Sequence, residues 1–183
     1  VGGNLNEASL AHHIERVLPY NGILFLGNSL FVRLVDALTK LPEGYPIFTN
    51  RGASGIDGLL ATAAGIGIGA DLNSLALFKN VTQPTIIFVI NNNGGAIFDM
   101  LPVDEEVKEQ FYRLPHNGDF SQVAAMFGLK YALPYTWADL SAVLKQAYTR
   151  RRATLIEIKT NPSDGSATYK RLIDQISHAV IGE

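Results

Sequence analysis

The chain has 183 residues, of which 47% are hydrophobic and 17% are charged, with 17 glycines. This composition excludes a disordered segment, a collagen-like repeat and a coiled coil, and the length fits one domain over residues 1–183. With 15 basic and 17 acidic side chains, the net charge of −2 provides no basic surface for nucleic acid. The absence of cysteine excludes disulfides, zinc–thiolate sites and a cysteine nucleophile.

The N-terminus and the apolar runs bear on localisation. No apolar run approaches the roughly 18 residues that cross a bilayer, and residues 1–4 lack the basic and apolar regions of a signal peptide. We therefore expect a cytoplasmic protein without a membrane span. Because the sequence does not begin with methionine, we also expect it to be part of a longer protein.

The first half of the chain alternates helical and strand-like segments. Asn6 is placed to cap a helix whose apolar residues repeat at helical spacing up to residue 17. Short apolar runs at residues 23–26 and 46–49 predict strands. Asn28 and Ser29 offer the cap of the helix that lies between these strands, and a helix of small residues is expected from Gly55.

The second half continues this alternation. Residues 72–78 are expected to be helical, and residues 85–90 form the clearest strand, which we expect to be central and covered on both faces. Further elements are predicted at 119–127 (helix), 130–132 (strand), 137–148 (helix, with Thr136 and Asp139 as a capping box), 154–158 (strand) and 166–180 (helix, with Leu172, Ile173 and Ile176 facing inward).

Short strands that alternate with helices predict an α/β fold, a parallel β-sheet with helices on both faces. In such sheets, ligands bind beyond the carboxyl ends of the strands. The loops at residues 27–29, 50–55 and 91–95 all follow predicted strands. We therefore expect the functional site at these three loops.

The loop after the clearest strand reads Asn-Asn-Asn-Gly-Gly over residues 91–95. Amide and carbonyl oxygens are hard neutral ligands that suit Mg2+, and glycines allow the backbone to approach a diphosphate closely. The alternative interpretation is a polar, glycine-rich turn without a ligand.

Two further loops carry arginines. In NRGASGIDG (residues 50–58), Arg51 is suited to a bidentate contact with a carboxylate or phosphate, and the start of the following helix supplies free N–H groups. In GNSLFVR (residues 27–33), Arg33 lies one turn into a helix and can reach the same crevice. The alternative is a helix cap at Ser54 or Gly55 with Arg51 as a surface residue.

Together, NRGASGIDG, GNSLFVR and NNNGGAIF followed by Leu101-Pro102 resemble the C-terminal, diphosphate-binding domain of thiamine-diphosphate-dependent enzymes. Within that family, the sequence resembles the transferases of menaquinone biosynthesis over nearly the whole chain. The resemblance implies the thiamine-diphosphate-binding fold. It also implies an enzyme that decarboxylates 2-oxoglutarate on thiamine diphosphate and adds the succinyl-semialdehyde unit to isochorismate.

The resemblance also implies roles for particular residues. Asn92 and the carbonyl of Gly94 are expected to bind Mg2+, or Mn2+ in its place, and Arg33, Arg51 and Ser29 to bind substrate carboxylates. The cofactor contacts implied are backbone near Ser54 and Gly55, the side chain of Ile56, the loop residues Asn92, Gly94 and Gly95, and an apolar wall of Ile97, Phe98 and Leu101. The alternative for the wall is ordinary core packing.

The sequence departs from the family pattern in one place. The family has a Gly-Asp metal motif before the asparagines, and this chain has none there. The glycine-rich stretch between Gly65 and Asp71 joins two predicted helices with no strand between them, although a crossover topology calls for one. We therefore expect one strand to be missing near Gly65 to Asp71. A deletion, an engineered sequence, and a sequence that records only residues visible in a crystal are all open explanations.

The resemblance places the activating glutamate on another domain, so we expect no catalytic residue here and no activity from this chain alone. The expected partner is the N-terminal pyrimidine-binding domain of the same enzyme, from a neighbouring subunit of a homodimer or homotetramer. One alternative is a noncatalytic thiamine-fold domain with an assembly or regulatory role. Another is a nicotinamide-binding domain, suggested weakly by Gly65, Gly67 and Gly69.

Overall fold

A computed structural model describes residues 3–49, 72–94, 96–113, 115, 117–161 and 163–181. The predicted helix from Gly55 and the stretch between Gly65 and Asp71 lie outside these residues. The described α-helices are α1 (Glu7–His12), α2 (Leu30–Leu38), α3 (Glu105–Lys108), α4 (Phe120–Met126), α5 (Trp137–Thr149) and α6 (Asp164–Ile181). Stretches of 3-10 helix occupy Ile14–Val17, Leu72–Asn80 and Ala96–Met100, and a π-helical turn occupies Glu109–Arg113.

The five described strands form two parallel sheets. The first pairs β1 (Leu24–Leu26) with β2 (Ile47–Thr49). The second has the order β3-β5-β4, with β3 at Thr85–Asn91, β4 at Lys130–Ala132 and β5 at Ala153–Lys159. Each predicted strand outside the undescribed stretch is present within one or two residues, which confirms the predicted α/β class.

A hydrophobic core lies on each face of the second sheet. Ile86, Phe88 and Ile90 of β3 pack on a first cluster that includes Leu26 of β1 and residues of α1, α2 and α5. The alternate residues of β3, Ile87 and Val89, pack on a second cluster built from α4, β5 and the 3-10 helix Leu72–Asn80. Helices therefore cover both faces of the sheet, as the apolar sequence of β3 predicts.

The expectation that β3 is central is wrong for the described part of the chain. β5 is the middle strand, and six of its seven residues are buried, whereas all seven residues of β3 are only half-buried. Among the described strands, β3 has no partner on the edge that faces away from β5, and a strand without a partner on one edge stays partly exposed. The apolar sequence identified the covered faces but carried no information about that edge.

The local signals at helix ends are mostly confirmed. Asn6 and Ser9 form a capping box at α1, with Oδ1 of Asn6 accepting from the Ser9 amide at 2.8 Å. Thr136 and Asp139 form the predicted box at α5. Ser29 is the N-cap residue of α2, which confirms the predicted position of this cap, but its side chain makes no capping hydrogen bond.

The prediction for the last helix is also wrong in part. Leu172 is half-buried, but Ile173 and Ile176 are 44% and 56% exposed. The first turns of α6 pack through Ser166 and Tyr169, and no described element covers its second half. Amphipathic spacing predicted an apolar stripe correctly, but spacing does not say what lies opposite the stripe.

Candidate functional site

Asn91, the first residue of the loop after β3, is held by three hydrogen bonds. The side chain of Asn91 donates through Nδ2 to Oε1 of Glu157 on β5 at 2.7 Å, and its Oδ1 accepts from the amide of Asn93 at 2.9 Å. The carbonyl of Asn91 accepts from the amide of Thr160 at 3.0 Å. Asn91 is therefore a structural anchor that aligns the loop with the sheet.

Asn93 and Asn117 clamp the outer part of the loop. Nδ2 of Asn93 donates to Oδ1 of Asn117 at 3.1 Å, and the Asn117 amide donates back to Oδ1 of Asn93 at 2.8 Å. Both residues have positive φ angles, 59° and 47°, a region that asparagine enters more readily than most residues. Sequence reasoning missed this clamp because the two partners are 24 positions apart.

The two predicted metal ligands are neighbours within this loop. Oδ1 of Asn92 accepts a long hydrogen bond of 3.3 Å from the amide of Gly94, and its second lone pair has no partner among the described residues. Gly94 lies against the backbone of Arg113. The approach is so close that a Cβ on residue 94 would clash with the Arg113 carbonyl oxygen. Only glycine allows this close approach.

The described residues fit only the neutral part of a divalent cation site. Mg2+ prefers six oxygen ligands, usually including one or two carboxylates. The predicted donors, Asn92 and Gly94, are both uncharged, and no cluster of three or more His, Cys, Asp or Glu side chains in the described ranges could hold a metal. The Glu157 carboxylate nearby is already bonded to Asn91 and to the hydroxyl of Tyr131.

The predicted apolar wall follows the loop directly. Ile97 packs against the first core cluster, whereas Phe98 and Leu101 are each 38% exposed. The ring of Phe98 packs on that of Tyr112 at 5.3 Å between centroids. Two of the three residues therefore present apolar surface instead of filling the core, which argues against the core-packing alternative for Phe98 and Leu101.

A cluster of charged and polar side chains packs around Asp99, the residue that follows Phe98 in the wall. Asp99 is 6% exposed, and the Ser166 hydroxyl at the start of α6 donates to its Oδ2 at 3.2 Å. Arg113 forms an ion pair with Asp99 at 2.8 Å, and Lys170 donates to the Asp99 carbonyl at 2.7 Å. Hydrogen bonds from Arg113 to Asp99 and then to Glu105 raise the pKa of the guanidinium. The cluster fixes the Ala96–Met100 turn on α6.

The loop after β1 has an unusual backbone at Ser29. Its φ of 94° and ψ of −156° lie in a region that is almost exclusive to glycine. Ser29 is exposed, and its carbonyl accepts from Nη1 of Arg33 at 2.6 Å. Ser29 and Arg33, two of the predicted substrate-binding residues, thus lie together at the carboxyl end of β1. One N–H group of Arg33 is already bonded to the Ser29 carbonyl.

A buried carboxylate that sequence reasoning missed lies behind this loop. Glu7 is 3% exposed, and its Oε2 lies so close to Gly165 that a Cβ there would clash with it, with Leu30 as the next contact. Burial raises the pKa of Glu7 to about 7. Its Oε2 has no hydrogen-bond partner among the described residues. Acidic residues at helix starts are usually exposed, so no sequence signal indicated this burial.

Several predicted site residues fall outside the described part of the chain, namely Arg51, Ser54, Gly55, Ile56 and Gly95. The described part of the site therefore consists of the Asn91–Gly94 loop, the Phe98 wall and the Ser29 loop. Each lies at or after the carboxyl end of a parallel strand.

Comparison with solved structures identifies the fold class. A thiamine-diphosphate-dependent 4-hydroxybenzoylformate decarboxylase from Rhodococcus jostii matches with a TM-score of 0.63 and 19% identity, over 88% of this chain and 33% of that chain. A benzoylformate decarboxylase from Polynucleobacter necessarius also matches with a TM-score of 0.63, at 15% identity, over 86% of this chain and 33% of that chain. The chain thus has the α/β thiamine-diphosphate-binding fold.

Sequence comparison finds relatives that are similar to this chain over its whole length. A 2-succinyl-5-enolpyruvyl-6-hydroxy-3-cyclohexene-1-carboxylate synthase from Haemophilus influenzae is 78% identical over 100% of this chain and 35% of its own length. The synthases of Mannheimia succiniciproducens and Pasteurella multocida are 75% and 73% identical over the same shares. The chain is homologous to one part of these synthases, and spans about a third of their length.

Two features are not found. No family model matches the chain. Among the described residues, no helix is both long and apolar enough to span a membrane.

Proposed function

We propose that this chain is the diphosphate- and metal-binding domain of a synthase that decarboxylates 2-oxoglutarate and adds the succinyl-semialdehyde unit to isochorismate in menaquinone biosynthesis. The observation that carries the proposal is the 78% identity to such a synthase over the whole chain. The position of the Asn91–Gly94 loop at the carboxyl end of a parallel strand supports it, because ligands of α/β sheets bind there.

Thiamine diphosphate, when bound, supplies the carbon nucleophile and the electron sink for decarboxylation. The residues of this chain bind the metal ion and the cofactor and orient the substrates. Asn92 and the Gly94 carbonyl offer oxygen ligands to Mg2+ or Mn2+, while Gly95 and the backbone near Ser54 and Gly55 approach the cofactor. Its apolar surroundings are provided by Ile56, Ile97, Phe98 and Leu101.

Both substrates carry two carboxylates, which Arg33 and Arg51 are suited to bind because a guanidinium matches a carboxylate in a planar, bidentate contact. Arg33 is half-buried beside Ser29 and uses one donor on the Ser29 carbonyl. In the part of the chain that the structure describes, the other Arg33 donors and the exposed Ser29 hydroxyl have no partner, and we assign them to a substrate carboxylate.

The domain acts with a partner in this proposal. Its activating glutamate comes from the N-terminal pyrimidine-binding domain of a neighbouring subunit in a cytoplasmic homodimer or homotetramer. The isolated 183-residue chain is therefore inactive.

The test uses the full-length protein that contains this chain and the isolated chain beside it. Isothermal titration calorimetry measures thiamine diphosphate binding with Mg2+ and again with EDTA, and a coupled assay measures CO2 release from 2-oxoglutarate with isochorismate. We expect metal-dependent binding and turnover by the full-length protein alone. Turnover by the isolated chain would show that the domain needs no partner.

A noncatalytic domain with an assembly or regulatory role is the second candidate, because the described residues offer no carboxylate cluster to a metal. The same titration separates the two. A full-length protein that binds no thiamine diphosphate at saturating Mg2+ supports the noncatalytic role and contradicts the synthase.

A further inference from the structure

The Asn91–Gly94 loop is attached to the rest of the protein on both sides of Asn92. On one side, the side chain of Asn91 is bonded to the middle strand β5 at 2.7 Å. On the other side, Asn93 and Asn117 exchange two hydrogen bonds of 3.1 and 2.8 Å. Asn92, the proposed metal ligand, therefore lies between two residues that are each held by a distant part of the chain.

The attachment on the outer side comes from the segment that follows the apolar wall. Beyond Gly94, the chain passes through the wall and the π-helical turn. It returns to the loop at Arg113 and at Asn117, and Asn117 lies 24 positions beyond Asn93. The Arg113 carbonyl packs on Gly94. Asn117 bonds Asn93 through its side chain and its backbone amide. Two consecutive residues of the loop are therefore contacted by the returning segment and not by the sheet.

The clamp formed by Asn93 and Asn117 also holds a backbone conformation on which the proposed ligands depend. Asn93 has a φ of 59°, in the left-handed region that glycine, asparagine and aspartate enter most readily. The turn at Asn93 brings the amide of Gly94 back to Oδ1 of Asn92 at 3.3 Å. The conformation of Asn93 thus brings the two proposed metal ligands together.

We infer that Asn117 is a positioning residue for the proposed cation site. Its side chain holds Asn93, and Asn93 holds Asn92 and Gly94 in the arrangement that can offer oxygen ligands to Mg2+. Asn117 itself touches neither the cation nor the cofactor. Residues that orient metal ligands in this way typically change metal affinity by roughly 10- to 100-fold. The inference rests on the proposed function, because it concerns the metal ion of that site.

The exposure of the clamp separates a positioning role from a structural one. Asn117 is exposed, and a hydrogen bond between exposed neutral groups contributes little to the free energy of unfolding, because water replaces it. A loop that has lost its clamp, by contrast, must be ordered each time a cation binds. Removal of the clamp should therefore raise the Mg2+ requirement and leave the unfolding transition nearly unchanged.

Asn117→Gly in the full-length protein is the first test. Glycine tolerates the φ of 47° at this position and removes only the side-chain bond to Asn93. Calorimetric titration of thiamine diphosphate at graded Mg2+ concentrations should show an Mg2+ requirement about tenfold above that of the parent, with the urea midpoint nearly unchanged. Asn6→Ala is the matched control, because it removes the cap of α1 and lowers stability but should leave the Mg2+ requirement unchanged.

Aspartate substitutions separate hydrogen bonding from charge. Asn117→Asp keeps the acceptor for Nδ2 of Asn93. Asn93→Asp keeps the acceptor for the Asn117 amide, and the Asn117 side chain can rotate to donate to the new carboxylate. Each single variant therefore keeps the clamp, whereas the double variant sets two carboxylates against each other. The clamp predicts that the double variant needs the most Mg2+ of the three, while attraction of Mg2+ by charge alone predicts that it needs the least.

Two results would overturn this inference while the proposed function stands. They are an unchanged Mg2+ requirement in Asn117→Gly and a double aspartate variant that needs the least Mg2+. Loss of the folded state in Asn117→Gly, seen as the absence of a urea transition, would make Asn117 a structural residue and would overturn the inference as well. A parent protein that binds no thiamine diphosphate in the presence of Mg2+ would contradict the proposed function, and this inference with it.

Discussion

Arg113 directs two nitrogen atoms, Nε and Nη2, at one oxygen of Asp99, and each lies 2.8 Å from Oδ1. The carbonyl of the same arginine lies against Gly94 in the candidate site loop. Arg113 therefore connects the loop, through its backbone, to the turn that carries Phe98, through its side chain. Both segments of the site depend on one residue that lies well beyond the loop in the sequence.

Replacing Arg113 should destabilise the protein because it leaves the buried Asp99 carboxylate without its cation. For Arg113→Ala, we expect a loss of about 3 kcal/mol in the free energy of unfolding. Urea denaturation measures this loss. Arg150→Ala removes an exposed arginine that bonds Gln146, and should change stability by less than about 0.5 kcal/mol. Equal effects of the two substitutions would contradict the role of the pair.

Glu7 should make stability fall as the pH rises. Its pKa is about 7 in the folded protein and 4.5 for an unburied carboxyl. Between these two pH values, Glu7 is protonated in the folded state and ionised in the unfolded state. The penalty is absent below pH 4.5 and fully present above about pH 7, with a total on the order of 3 kcal/mol.

The variant Glu7→Gln should therefore be the more stable protein at about pH 8 and lose this part of the pH dependence. Thermal unfolding from about pH 4 to about pH 8 measures the difference. Glu43→Gln, at an exposed position, is the matched control and should leave the profile unchanged. An identical profile for Glu7→Gln and the parent would show that Glu7 is not charged or not buried in solution.

Gly94→Ala should displace the site loop. Its new Cβ would meet a backbone oxygen, which cannot rotate away as a side chain can, so we expect a loss of about 1 to 3 kcal/mol in unfolding free energy. Gly3→Ala is the control, because nothing lies within 4 Å of a Cβ there. If Gly94→Ala is as stable as Gly3→Ala, the loop does not approach Arg113 as closely as described.

Asn92→Leu tests the proposed metal ligand in the full-length protein. Because leucine offers no oxygen, the Mg2+ concentration needed for thiamine diphosphate binding should rise by about tenfold or more. Asn92→Asp retains an oxygen ligand and should keep binding at low Mg2+. Calorimetric titration at graded Mg2+ concentrations gives both values. An unchanged requirement in Asn92→Leu would leave Asn92 as a turn residue.

Local signals in the sequence predicted local structure well. The capping box at Thr136 and the strand at Lys130–Ala132 are present where their residue types predicted them. Contacts between distant positions could not be predicted from the sequence. Asp99 and Ser166, for example, are 67 positions apart, and neither lies in a recognisable motif. The candidate loops could be proposed from the sequence because glycine and asparagine after a strand are recognisable without knowledge of their partners, and their role in binding stays a prediction.

The position of β3 at the edge of the described second sheet could not be predicted for a different reason. Hydrophobic periodicity reports which faces of a strand are covered, and β3 is covered on both. Edge pairing depends on backbone groups that every residue possesses, so side-chain identity does not encode it.

Glu157 lies on the middle strand and bonds outward to both neighbours, through Oε1 to Asn91 on β3 and through Oε2 to Tyr131 on β4. Because the loop begins at Asn91, its first residue is held in register with the sheet before any ligand arrives. The ordering entropy of this first loop residue is thus lost during folding and does not oppose ligand binding. A carboxylate that touches no ligand would in this way contribute to affinity.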